Sequence, residues 1–277
     1  MLKLRRRSKG GYFYKSEVLA IHIQEYGIRD GDCLVVFLHG GGVSGWMWDK
    51  QVAAFDRYHC LVPDLPEHGL SREDKEFTIR SSAEELLSVI EERAQGRKII
   101  VTGFSLGAQV LVQMLGLRPE LIDYAIINSA LVRPIPSASR LIGPAVKLSF
   151  PLIKYRWFAK LQAKTLYLGE EFLERYIEES RQMELKTLIR VLEENMSFRI
   201  PPGFSEAAGK ILVTVGEQEK SVMKQSARDL VAANSRSTDV VIPRIGHGVP
   251  LAKPELFNRL VEAWIQGGEL PGECRRL

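Results

Sequence analysis

The sequence predicts an α/β fold in which a mostly parallel central sheet is flanked by helices and interrupted late in the chain by a helical insertion. Three observations carry that prediction. Short, continuous runs of β-branched and apolar residues (Cys33 to Leu38, Lys98 to Thr102, Tyr124 to Asn128, Lys210 to Val215) have the character of strands buried on both faces. Stretches with helical spacing alternate with them, as parallel strands require. That alternation then lapses from Leu131 to about Gly203, where prolines 134, 136, 144 and 151 and two charged amphipathic stretches, Glu170 to Arg181 and Glu184 to Met196, take the place of strands. The chain therefore divides into a first core part (1–132), a helical cap insertion (133–203) closed by Pro201-Pro202-Gly203, and a second core part (204–277).

The elements follow in order. Val18 to Tyr26 alternates partly and predicts an early strand, with a turn from Gly27 to Asp32. The buried strand Cys33 to Leu38 runs straight into His39-Gly40-Gly41-Gly42, where glycine lets backbone N–H groups point into a cleft. Trp46 and Trp48 come next, and core packing is expected of both, Trp48 beneath the first helix. His59 to Val62 is a strand, and Pro63 to Ser71 is the loop after it. His68 in that loop is read as structural, because its loop precedes the serine described next and a stronger histidine comes later. Ile79 to Gln95 is a helix with Ala83, Leu86, Leu87 and Ile90 on one face.

Gly103-Phe104-Ser105-Leu106-Gly107 is the centre of the chain. It reads G-x-S-x-G, with a β-branched run before it and a proline-free helical run, Ala108 to Leu117, after it. A sharp turn there strains the backbone of Ser105 and raises its hydroxyl at a helix N-terminus, whose dipole faces developing negative charge. After the insertion, the strand ending in Gly216-Glu217-Gln218-Glu219 is followed by a helix from Ser221 to Asn234. A last strand, Thr238 to Pro243, precedes Gly246-His247-Gly248, and a closing helix runs from about Pro254 to Ile265.

A serine hydroxyl needs a base within hydrogen-bond reach, and the base needs an orienting carboxylate. His247 lies in a loop after the last strand, and Glu219 and Glu217 lie at the end of the strand before it. The order Ser, acid, His, together with His39-Gly40-Gly41-Gly42, Pro63-Asp64 through Ser71, the serine motif and Gly246-His247, resembles the α/β-hydrolase superfamily over nearly the whole chain. The resemblance implies catalytic Ser105, His247 and Glu219, with Glu219 ahead of Glu217 because the family places its acid three residues after the glycine ending the strand. It also implies an oxyanion hole from the N–H groups of Leu106 and Gly41, with Gly42 beside it. Glu219 stands where relatives usually carry Asp, and Glu67 stands where they usually carry Gly, which places a charge near the cleft mouth. The other common acid position holds Asn128 and Ser129.

The expected activity is that of a serine hydrolase acting on a small, mostly neutral substrate, a carboxylic ester first, with amide, thioester, lactone and C–C bond hydrolysis open to the same machinery, and without metal or organic cofactor. A ligand-binding homologue with slow or no turnover is the alternative, favoured if Glu219 points away from His247. The balance of 38 Lys and Arg against 34 Asp and Glu does not suggest nucleic-acid binding. Cys33, Cys60 and Cys274 have no metal-ligand spacing; Cys33 and Cys60 fall in apolar strand-like runs, so buried thiols are expected there, which suits a reducing, cytoplasmic setting. No run approaches the length of a membrane span, and the basic start, Met1 to Lys9, lacks the apolar stretch of a secretory signal and reads as a solvated end. Leu148, Phe150, Tyr155, Trp157 and Phe158 either face a cavity beneath the insertion or form its own core. Oligomeric state is not readable from the sequence.

Overall fold

The computed structural model describes residues 12–14, 21–71, 75–135 and 138–277, with side chains described from 21 onward and, after the gap at 136–137, from 141. Met1 to Lys9 lies outside the described residues. The strands are β1 (Tyr12–Tyr14), β2 (Ile23–Tyr26), β3 (Cys33–Leu38), β4 (His59–Pro63), β5 (Lys98–Phe104), β6 (Tyr124–Asn128), β7 (Lys210–Gly216) and β8 (Ser237–Ile242). They form one eight-stranded sheet in the order β1-β2-β4-β3-β5-β6-β7-β8. The pairs β1·β2 and β2·β4 are antiparallel, and every later pair is parallel. Parallel pairing demands crossovers, and helices supply them. Among them are α1 (Asp49–Ala54), α2 (Ile79–Ala94), α3 (Leu106–Leu117) and α8 (Ser221–Ala233), while the single turn α9 (Val249–Ala252) and α10 (Pro254–Gln266) follow the last strand.

Side-chain alternation along β3 divides the core. Leu34, Val36 and Leu38 pack with α2, α3 and α8, whereas Val35 and Phe37 pack on the other face with Trp48, Phe55 and Phe257. Both faces being covered explains why the central strands are apolar throughout.

Between β6 and β7 the chain runs through α4 (Ala138–Ser149), α5 (Arg156–Thr165), α6 (Glu170–Gln182) and α7 (Leu185–Ser197), with no strand among the described residues. Three points differ from expectation. The early strand is shorter than Val18 to Tyr26, beginning at Ile23, and 15–20 lie outside the described residues. A further strand, β1, pairs antiparallel with it; three aromatic residues without visible alternation gave no periodic signal. The aromatic and apolar side chains at the start of the helical segment do not supply its buried side chains. Leu148, Tyr155 and Trp157 are exposed and Phe150 and Phe158 half-buried, because the buried sides of α4 and α5 are made by Ile142, Val146, Ala159 and Ala163.

Candidate active site

The strand β5 and helix α3 meet at Ser105, whose backbone sits at φ +52°, ψ −111°, a conformation no ordinary strand or helix uses. Its neighbours show why the flanking residues are glycines. A Cβ on Gly107 would lie 2.4 Å from the carbonyl oxygen of Leu38, and one on Gly103 would lie 2.5 Å from that of Gly107. The turn is held by Ser105 N–H donating to Asn128 O at 2.9 Å. Leu106 is the first residue of α3, so its N–H has no acceptor within the helix. Gly41 lies against Leu106; a Cβ there would be 3.5 Å from Leu106 Cδ2. The next residue, Gly42, has φ +76°, which explains a glycine at that position.

The structure brings Ser105, His247 and Glu219 together. Ser105 Oγ lies 2.9 Å from His247 Nε2, and His247 Nδ1 lies 2.9 Å from Glu219 Oε2. An ionised carboxylate can only accept, so Nδ1 carries the hydrogen and Nε2 presents its lone pair to the serine hydroxyl. Burial works against the charge on Glu219. Hydrogen bonds from His247, Ser129 Oγ and Gly216 N–H, with the electrostatic attraction between the carboxylate and the His247 ring, outweigh it and hold the carboxyl below its ordinary value.

Glu217 does not join them. Its carboxylate accepts from the N–H of Arg244 at 2.8 Å. Ser129 was missed by sequence reasoning as a functional residue. It follows β6 with φ +59°, its N–H donates to Thr214 O, and its hydroxyl donates to Glu219 Oε1 at 2.6 Å. A polar residue at the position where relatives can carry an acid was the available signal. The glycines around His247 make room for a close approach. Neither Gly246 nor Gly248 has a positive φ; a Cβ on Gly248 would lie 2.3 Å from Leu166 O, and Gly246 N–H donates to Tyr167 Oη at 3.2 Å. They let the end of α5 close on the histidine loop.

Glu67 carries its charge in a paired carboxylate. At φ +62° it turns its carboxylate to the N–H of Phe77 (2.8 Å), the Thr187 hydroxyl (2.7 Å) and the Arg190 guanidinium (2.6 Å), the last two on α7. Trp46 stacks on Phe172 of α6, and its indole N–H and the Ser44 hydroxyl both donate to Glu179 (2.9 and 2.7 Å). Trp48 is fully buried, as expected.

His39 and His68 are fully buried with ring centroids 5.2 Å apart. Leu65 N–H donates to His39 Nε2 at 2.8 Å, so the His39 Nδ1–H donates to Gly40 O. His68 Nδ1 lies 2.9 Å from Pro66 O, and its Nε2 has no partner among the described residues. Burial pushes both imidazoles down to about 4. Their unfolded values lie near 6.5, so the unfolded chain binds more protons as pH falls below that, and stability is full above it and lost down to about 4. We expect the pair to cost about 3–4 kcal/mol of unfolding free energy between about pH 7 and 5. Urea unfolding followed by circular dichroism at the two pH values checks this; equal stabilities would refute a neutral buried pair.

Among the described residues, no group of three or more His, Cys, Asp or Glu is placed to hold a metal ion, and no helix is long and apolar enough to cross a membrane. The model of the alpha/beta hydrolase family matches residues 35–260. An esterase of Mycobacterium tuberculosis is 35% identical over 95 residues, a stretch covering 34% of this chain and 31% of that protein. The (E)-2-((N-methylformamido)methylene)succinate hydrolase of Acinetobacter baylyi is 23% identical over 242 residues, 84% of this chain and 90% of that one. Among solved structures, carboxylesterase CesB of Bacillus subtilis superposes with a TM-score of 0.68 at 20% identity, covering 97% of this chain and 93% of that one.

Proposed function

The chain belongs to the alpha/beta hydrolase family, and from that premise we propose that it is a serine hydrolase that cleaves small carboxylic esters through an acyl-enzyme, using Ser105, His247 and Glu219. The observation that carries this reading is the unbroken hydrogen-bond path from Ser105 Oγ through the imidazole of His247 to Glu219. Such a path activates a hydroxyl that is otherwise a poor nucleophile at neutral pH.

In this reading Ser105 Oγ attacks the ester carbonyl carbon as its proton passes to His247 Nε2. The carbonyl oxygen becomes an oxyanion held by the N–H groups of Leu106 and Gly41, beside the positive end of α3. The tetrahedral intermediate collapses, the C–O bond to the alcohol breaks, and His247 gives its proton to the leaving alkoxide. Water, deprotonated by the same nitrogen, attacks the acyl-enzyme and releases the acid. Glu219 keeps the hydrogen on Nδ1 and balances the imidazolium charge throughout.

The ester substrate rests on the activities named for the esterases to which the chain is similar, together with a serine, not a carboxylate, at the strand-to-helix turn. Residues 133–203 act as a cap in this reading. They are supported in that role by Tyr167, beside the histidine loop, and by Val191, 3.5 Å from a Cβ built on Gly41. The ligand-binding alternative needed Glu219 to face away from His247, and its carboxylate faces Nδ1 instead.

The test is intact-mass spectrometry after exposure to a fluorophosphonate, with peptide mapping. One adduct on Ser105, lost in His247→Ala, is the expected result. No adduct on a folded sample would overturn an activated serine.

A further inference from the structure

We infer that the outward face of α4 and α5 docks the protein on an anionic lipid surface. Six of the eight large hydrophobic side chains that stand exposed among the described residues fall between 141 and 167: Leu141, Leu148, Tyr155, Trp157, Leu161 and Tyr167. Leu148 is 84% exposed and Trp157 58%, so these are not core side chains with a wet edge.

The spacing makes the outward side of each helix a stripe and not a scatter. On α4, Leu141, Pro144, Ala145 and Leu148 stand outward at helical intervals while Ile142 and Val146 are buried, so the helix is apolar on both sides. On α5, Ala159 and Ala163 are buried, and Trp157, Lys160, Leu161 and Lys164 stand outward. A helix in contact with water alone has no reason to present Leu and Trp there.

Charge identifies the occupant. The segment 138–165 holds six basic residues and no acidic one, in a chain where the two signs are nearly balanced. Arg156 pairs with Glu174, but Lys147, Lys154, Lys160 and Lys164 form no ion pair among the described residues. Lysines at this spacing can lay their methylene stems along the apolar face and keep their ammonium groups at the level of lipid phosphates, while Trp and Tyr suit the headgroup boundary. Nucleic acid would use the charges but leave Leu141, Leu148 and Leu161 in water. The docked face also borders an open cleft of about 480 Å³ whose lining includes Lys160, Lys164, Tyr167 and Leu173, with Glu170 as its acidic member. Tyr167, on that cleft, accepts the N–H of Gly246 beside His247.

Sedimentation with sucrose-loaded vesicles tests the inference on the full chain. Vesicles of phosphatidylcholine with about a third phosphatidylserine should bind the protein, and pure phosphatidylcholine should not. Lys160→Ala with Lys164→Ala should weaken binding about thirtyfold, each charge near the surface contributing about 1 kcal/mol. Trp157→Ala with Leu161→Ala should also weaken it, and removal of residues 2–9 should not. All variants alter exposed or terminal positions, and unchanged circular dichroism spectra and melting temperatures establish that they fold. Three results would each overturn the inference: no binding to anionic vesicles, binding undiminished in either face variant, or binding lost only with residues 2–9. So would a dimer of the wild type broken by the Trp157 and Leu161 changes, which would assign the face to a second copy.

Discussion

Replacing Ser105 with alanine is expected to lower kcat by about four to six powers of ten, in line with the loss of a serine nucleophile elsewhere, and to leave the fold standing. The change removes one oxygen. Gly103 and Gly107 still make the room the turn needs, Ser105 N–H to Asn128 O is a backbone bond that alanine keeps, and no side-chain cap of α3 is lost. The helix N-terminus and the N–H groups of Leu106 and Gly41 remain, so substrate still binds and KM moves little. Steady-state hydrolysis of a short-chain nitrophenyl ester, with circular dichroism as the control for folding, measures both. Activity within about tenfold of the parent would remove Ser105 from the chemistry.

Glu219→Gln is expected to cost nearly as much, about 10⁴-fold in kcat, the scale seen when a triad carboxylate becomes its amide and the histidine is left in the wrong tautomer. Ser129 Oγ and Gly216 N–H both donate to Oε1 of Glu219, and His247 Nδ1 faces Oε2. In the amide the two donors select the carbonyl oxygen for the Oε1 position. The NH₂ group is thereby turned toward His247, where it favours the tautomer with the hydrogen on Nε2. That hydrogen points at Ser105, and the base is gone. The same kinetic assay, run on the variant, measures the loss. The pH dependence of the parent should agree. Since the Glu219 carboxyl is held below its ordinary value, the stability it contributes is present above about 4.5 and is lost only as pH falls through the lower folded-state value. A Gln variant with full activity would assign the orienting role elsewhere.

The parts of this molecule that were legible in the sequence are those whose cause is local. The apolar runs of β3, β5, β6 and β7 announce strands buried on both faces, and the glycines at 103 and 107 announce a close approach that the structure explains by the carbonyls they face. The site was readable for a related reason: serine, acid and histidine each follow a strand in the parallel part of the sheet, and parallel strands put their C-terminal ends on one edge. What escaped was set by partners far along the chain. Nothing near Glu67 shows that Arg190 lies 123 residues away to receive it, and Ser129 owes its place to a carboxylate 90 residues later. The exposed position of Tyr155 and Trp157 was hidden because hydrophobicity alone does not tell which side of a helix another element will cover.

The bonds made by the last two helices before β7 bear on how this enzyme could be re-engineered. Glu179 of α6 holds Ser44 and Trp46; Thr187 and Arg190 of α7 hold Glu67; Glu194 receives the first N–H of α2; and Asn195 exchanges hydrogen bonds with Gln109 of α3. A transplant cut at 133 and 203 would sever every one of these and strand buried polar groups on both sides. The transferable module is therefore discontinuous. A donor's helices would have to travel with its own residues at 44, 46, 67 and 109, and a chimera respecting that boundary would keep the glycine loop in register beneath its new roof.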